Sequence, residues 1–249
     1  MLLGGFQKFS LIDYPGKVSA IVFTQGCNFR CRYCYNPELV DSRNTKHETR
    51  YNEEVILDFL RSRVGKLDAV VVTGGEPTIQ TDLPEFIKKI KDLGFLVGLY
   101  TNGTNPQVLK KLFDERLIDY VSMDVKTRLS QSESGQPLAE ITNNYQSVTG
   151  VKITDEDLSK IRESIALLKK SNIDYTIATT VVPGLVAIED VEALASDIRG
   201  VKHFRLQPLV KTKEMLDNKY RAVEPYPIEE LERLRHEIAH YFGRCEIRA

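Results

Sequence analysis

Three cysteines, Cys27, Cys31 and Cys34, stand close together in the run Cys-Asn-Phe-Arg-Cys-Arg-Tyr-Cys. Iron–sulfur clusters take thiolate ligands, and a [4Fe–4S] cluster normally takes four. Three thiolates at this spacing can hold three irons and leave the fourth open. An open iron can bind a substrate or cofactor, which suits chemistry better than simple electron storage. Two other readings use the same residues. Cys31-x-x-Cys34 is a zinc-like pair, and His47 can complete a zinc site with Cys27, Cys31 and Cys34; the wider Cys27-to-Cys31 gap and the lack of a second tight pair weaken that reading. A thioredoxin-like redox pair at Cys31 and Cys34 lacks the helix-start context such pairs use. Cys245 stands alone near the C-terminus and reads as a packed thiol without a role.

Further along lies Gly74-Gly75-Glu76-Pro77. Two glycines let a backbone turn sharply and approach a ligand closely, and Glu76 offers an acceptor that can pair with an ammonium group. The plain alternative is a tight strand-to-helix turn. Thr101-Asn102-Gly103 reads by itself as an ordinary turn. Asp124 and Lys126 are two apart, so on a strand they face one side. They form either a salt bridge or, through Lys126, a clamp for a carboxylate.

These residues need a frame. Short β-branched runs predict strands at Val18–Thr24, Ala69–Thr73, Leu96–Tyr100, Tyr120–Val125, Tyr175–Val182 and Phe204–Leu209. Between them, apolar residues spaced by three and four predict helices at Asn52–Arg63, Leu83–Leu93, Pro106–Asp114, Asp155–Lys170, Ile188–Ile198 and Ile228–His240. Asp82 is placed to cap the second of these, and Thr154 with Asp157 resembles a capping box at the fourth. Six strand–helix units in series predict an α/β fold with a parallel sheet and right-handed crossovers, curled into an incomplete (β/α)6 barrel. Every motif follows the C-terminal end of a strand, the end at which β/α barrels build active sites. No linker divides the chain, so residues 1–249 are expected to form one domain. The polar stretch Leu129–Asn144 reads as a surface insertion.

Lys plus Arg number 34 against 35 Asp plus Glu, a net charge of -1. That balance gives no reason to expect nucleic acid or an acidic membrane surface. Lys211, Lys213, Lys219 and Arg221 read as a solvated face. No signal peptide and no membrane span are evident, so the expected location is the cytoplasm, where clustered cysteines favour metal binding or catalysis over disulfides.

The cysteine spacing followed by Gly-Gly-Glu-Pro resembles the radical S-adenosylmethionine (SAM) enzymes, and the likeness runs from Gly4 to about Leu209. Gly4-Gly5-Phe6, Asp13-Tyr14-Pro15-Gly16-Lys17 and Phe23-Thr24-Gln25-Gly26-Cys27 look like the activating proteins of glycyl radical enzymes, most like those of anaerobic ribonucleoside-triphosphate reductase. Met123-Asp124-Val125-Lys126 and Tyr145–Gly150 are similar to segments of that group. The resemblance implies that Cys27, Cys31 and Cys34 ligate a [4Fe–4S] cluster whose open iron is chelated by SAM. It implies that Glu76 and the Gly74–Gly75 backbone, leading into Pro77, hold the SAM amino group and that Lys126 faces its carboxylate. Tyr33 would lie near the adenine, and Thr101, Asn102, Thr180 and Val182 would line the nucleoside. Asp124 with Thr101 would frame a monovalent-cation site. Reductive cleavage of SAM would give a 5′-deoxyadenosyl radical that takes a hydrogen from a glycine of the partner, with a flavodoxin or ferredoxin as electron donor. Two features depart from related enzymes: Leu209 and Val210 follow Pro208 where a histidine is common, and Ala178 and Thr179 stand where some relatives carry an arginine. The alternatives are a radical SAM enzyme acting on a small molecule, like 7-carboxy-7-deazaguanine synthase, or on nucleic acid, and a non-enzymatic zinc module.

Overall fold

The computed structural model describes residues 1–41, 51–130, 137–212 and 214–248. One eight-stranded sheet runs in chain order: β1 (Leu3–Ser10), β2 (Ser19–Thr24), β3 (Ala69–Gly74), β4 (Leu96–Thr101), β5 (Tyr120–Asp124), β6 (Asp174–Val181), β7 (His203–Pro208) and β8 (Arg244–Ile247). β1 pairs antiparallel with β2, and every later pair is parallel. The helices are α1 (Glu53–Arg61), α2 (Leu83–Asp92), α3 (Pro106–Asp114), α4 (Leu138–Thr149), α5 (Asp155–Lys170), α6 (Ile188–Asp197) and α7 (Ile228–Ile238).

The sheet curls. In a flat sheet seven strand spacings would separate the edges by about 34 Å. Yet Arg248, just after β8, reaches Asp13, just after β1, at 3.4 Å. The six strands expected from sequence are β2 to β7, and they form the incomplete barrel. Alternation along each strand divides its side chains. Val70, Val72, Val97, Leu99, Val121 and Met123 join the core shared with helix residues such as Ile56, Phe86, Ile90 and Leu109. Ile21, Ala69, Val71 and Tyr120 form a second cluster with Tyr14, flanked by Tyr100. Tyr14 arrives from the β1–β2 turn, and its ring lies against Gly98, where a Cβ would stand 3.2 Å from it.

Two expectations change and one holds. Leu129–Asn144 is not a wholly polar excursion: Leu129 is buried, and residues 138–144 begin α4, which buries Ile141, Tyr145 and Val148. Residues 131–136 of that stretch lie outside the described residues, as does His47. Asp82 precedes α2 but makes no side-chain cap. Thr154 and Asp157 do form a reciprocal capping box on α5.

Candidate functional site

The cysteine loop leaves β2 through Gly26 and is anchored by its backbone. Gly26 N donates to Leu39 O at 2.8 Å, Cys27 N to Val40 O at 3.0 Å and Cys34 N to Cys31 O at 2.9 Å. Arg30 folds back over the loop, its guanidinium donating to the carbonyls of Cys27 and Phe29. Cys31 is buried, while Cys27 and Cys34 are half-buried.

The two glycines at the end of β3 allow a close approach of backbone to backbone. A Cβ on Gly74, which sits at φ 127°, would lie 2.2 Å from Thr24 N and Thr24 O. A Cβ on Gly75 would lie 2.1 Å from Gly26 O. Gly75 N donates to Thr24 O and Glu76 N to Gly26 O. The pair therefore lets the strand end press against the root of the cysteine loop. Those N–H groups are spent on the loop, so an ammonium ligand would meet carbonyl oxygens here.

Glu76 is 1% exposed. Its Oε1 accepts from Thr78 N (3.0 Å), Thr78 Oγ1 (2.6 Å) and Thr101 Oγ1 (2.7 Å), and its Oε2 accepts from Asn102 N (2.7 Å). Burial pushes its carboxyl up against the pull of these donors. Glu76 thus ties the β3 end, where Pro77 opens a 3-10 turn, to the β4 end. Asn102 extends the link, donating from Nδ2 to Asn28 Oδ1 of the cysteine loop at 2.8 Å. Sequence reasoning passed over Thr78 and Asn28, because single polar residues in turns carry no periodic signal.

At the β5 end, Lys126 Nζ pairs with Asp124 Oδ2 at 2.8 Å and lies 5.6 Å from the centroid of the buried Tyr33 ring. Burial opposes the Lys126 charge, but Asp124, Tyr33 and Cys31 outweigh it and hold the ammonium well above its ordinary range. Tyr145 of α4 accepts a hydrogen bond from Lys126 N at 3.3 Å. Asp124 Oδ1 is buried without a hydrogen-bond partner.

Of the pair expected to frame a cation site, Thr101 Oγ1 donates to Glu76 Oε1 and Asp124 pairs with Lys126 through Oδ2 only. Thr180 is half-buried on β6 beside Gln207 of β7. Val182 is fully buried in the main core.

The thiols, Lys126 and the two carboxylates share one electrostatic environment. Burial pushes Cys27 up to about 12 and Cys31 up to about 11, and raises Cys34 as well. Lys126 pulls all three down; Glu76 acts on Cys27, and Asp124 acts on Cys31 and Cys34. A metal centre supplies the positive charge that such thiolates need. No three His, Cys, Asp or Glu side chains among the described residues converge on a single metal ion. The donor set fits a cluster-sized group: three soft ligands on one loop, with a buried cation, an unpartnered carboxylate oxygen and the carbonyls of the β3 end beside it. Those polar groups suit a zwitterionic cofactor, with Lys126 for a carboxylate and acceptors for an ammonium.

Residues 21–198 match the family described as the radical SAM superfamily. A Methanocaldococcus jannaschii protein provisionally named a glycyl-radical enzyme activating enzyme is 34% identical over 232 residues, covering 92% of this chain and 87% of its own. The 7-carboxy-7-deazaguanine synthase of Thermococcus kodakarensis is 28% identical, covering 78% and 75%. The pyruvate formate-lyase-activating enzyme of Streptococcus mutans is 27% identical, covering 92% and 84%. Among solved structures, Streptococcus suis SuiB bound to S-adenosylmethionine has the same fold at a TM-score of 0.59 and 13% identity, over 89% of this chain and 48% of that one.

Proposed function

The chain belongs to the radical SAM superfamily, whose cofactors are a [4Fe–4S] cluster and SAM, and we propose that it is an activating enzyme that installs a glycyl radical on a partner protein. One observation carries the reading: the 34% identity to the provisionally named activating enzyme spans nearly the whole of both chains. The partner is proposed to be an anaerobic ribonucleotide reductase, on the likeness of Gly4–Phe6, Asp13–Lys17 and Tyr145–Gly150 to the activating proteins of that system.

When bound, the cluster and SAM supply a carbon-centred radical; the residues supply position. Cys27, Cys31 and Cys34 hold the cluster. Lys126, kept cationic by Asp124, takes the SAM carboxylate, and the Gly74–Gly75 carbonyls take its amino group. Glu76 is a positioning residue that keeps the β3 and β4 ends in register with the loop. Tyr33 shields the Lys126 charge from water on one side.

The inner face favours a substrate presented at the mouth. Tyr120 packs against both Tyr14 and Tyr100 inside the curled sheet, and Tyr100 OH donates to Asp13 O at 2.6 Å. A glycine on a protein loop can reach a site at the strand ends.

The test is anoxic incubation of the cluster-loaded protein with SAM, a reductant and an anaerobic ribonucleotide reductase, followed by electron paramagnetic resonance. The expected result is a glycyl radical signal on the reductase. SAM cleavage with no glycyl radical on any candidate partner defeats the proposal. Turnover of a metabolite without a protein partner would move the assignment to small-molecule chemistry.

A further inference from the structure

Asn28, Phe29 and Arg30 separate Cys27 from Cys31, and each is pinned to another element. Arg30 N donates to Thr149 O at the end of α4, at 2.7 Å. Phe29 is buried, and its ring meets that of Tyr145, also on α4, edge-on with centroids 6.3 Å apart. Asn28 reaches the end of β4 instead. Its Nδ2 donates to Thr104 Oγ1 at 2.8 Å, and its Oδ1 accepts from Asn102 Nδ2 at 2.8 Å. Thr104 Oγ1 donates in turn to Asn102 Oδ1 at 2.7 Å. The three side chains close a ring in which each donates to the next. Hydrogen bonds joined head to tail polarise one another, so the ring holds more firmly than separate bonds would. One bond further on, Asn102 N donates to Glu76 Oε2 at 2.7 Å.

Burial within the ring is uneven. Asn102 and Thr104 are buried, whereas Asn28 is exposed. An exposed Asn in a loop commonly bonds water or nearby backbone. Asn28 commits both ends of its amide to partners 74 and 76 residues away, and gives up rotamer freedom to do so. It fills no core volume. What its two bonds fix is the backbone immediately after Cys27, held against the strand end that also carries the Glu76 link. Phe29 and Arg30 fix the stretch leading to Cys31, held against α4.

We propose that Asn28 is a positioning residue that holds the Cys27 thiol in place relative to Cys31 and thereby determines how firmly the loop retains its iron. The inference rests on the reading that Cys27, Cys31 and Cys34 hold the cluster. Groups that orient metal ligands without touching the metal change its retention by about 10–100-fold when removed.

The test follows iron loss from the reconstituted protein to excess chelator, beside thermal melting of the cluster-free full chain. Asn28→Ala is expected to release iron about tenfold faster or more. Its cluster-free form is expected to melt within about 2 °C of the parent, because the side chain is exposed. Thr104→Val breaks the same ring at a second member. The double variant Asn28→Ala, Thr104→Val is expected to release iron no faster than the quicker single variant, since both changes open one ring. Unchanged iron release in Asn28→Ala overturns the proposal. So do effects that multiply in the double variant, which would make the two side chains independent. A melting temperature that falls in step with iron retention also overturns it, by making Asn28 a folding residue. A parent that takes up no iron overturns the ligand reading and this proposal with it, a result distinct from parent and variant releasing iron at one rate.

Discussion

The mouth of the barrel and its inner floor are held together by different means. At the mouth, backbone meets backbone: the Gly74–Gly75 strand end presses on Thr24 and Gly26 with no room for a methyl group. On the floor, side chains meet side chains. Tyr120 OH donates to Thr176 Oγ1, which contacts His203 Nδ1, while His203, Arg205 and Arg244 converge on Glu246. A backbone contact fixes geometry and tolerates no added atom; a side-chain network tolerates volume changes and answers to charge. The part that must position three thiols uses the stiffer device.

That contrast is breakable at defined residues. The largest effect is expected from Gly75→Ala, whose new Cβ would collide with Gly26 O. The backbone must move, so stability should fall by about 3 kcal/mol or more and iron binding by the reconstituted protein should collapse. Gly98→Ala, on the floor, meets the edge of the Tyr14 ring at 3.2 Å and Val71 Cγ2 at 3.4 Å, side chains rather than backbone, and should cost about 1 kcal/mol or less. Equal losses in chemical denaturation would erase the distinction.

Next in size is Glu76→Ala, which strands the buried donors of Thr78, Thr101 and Asn102. An expected loss of about 2–4 kcal/mol should come with weakened SAM binding in equilibrium dialysis. Intact SAM affinity would deny Glu76 its positioning role.

The floor should answer to acid. Burial pushes Glu246 up, but the Arg205 hydrogen bond and the charges of His203, Arg205 and Arg244 hold it below 4.5. Burial holds His203 below 6.5 against the pull of Glu246. In both, the unfolded chain binds the proton more readily. Their stabilisation is therefore complete above the ordinary values and is lost as pH falls through them. The melting temperature should drop between pH 7 and pH 4, and Glu246→Gln should flatten part of that drop. An identical profile in the variant would remove Glu246 from the account.

The smallest effect belongs to Cys245→Ala. Cys245 is half-buried on the edge strand β8, and its loss should leave iron content unchanged, whereas Cys34→Ala should abolish cluster assembly. Equal iron loss in both would overturn the ligand set.

Much of this was legible beforehand. The six core strands are buried on both faces and so read as continuous β-branched runs; β2 to β7 fall where expected. The edges were not legible. β1 carries Gly4 and Gly5, poor strand formers, near its start and exposes Gln7 to Phe9; β8 is only four residues long, two of them charged. Each is specified by its neighbour strand rather than by its own pattern. Helix α4 hid behind polar residues, although Ile141, Tyr145 and Val148 carry helical spacing. At the site, the cysteines, Glu76 and Lys126 stood out by residue type and spacing. The packing of Gly74 and Gly75 against Thr24 and Gly26 was not legible, because spacing does not say which backbone a glycine will meet.

The measurement that tests the central claim most directly is anoxic electron paramagnetic resonance on the reconstituted, reduced protein, with and without SAM. The account predicts a [4Fe–4S]⁺ signal that changes when SAM is added, and that loses this response in Lys126→Ala. A folded protein that assembles no such cluster, or a cluster indifferent to SAM, would contradict it.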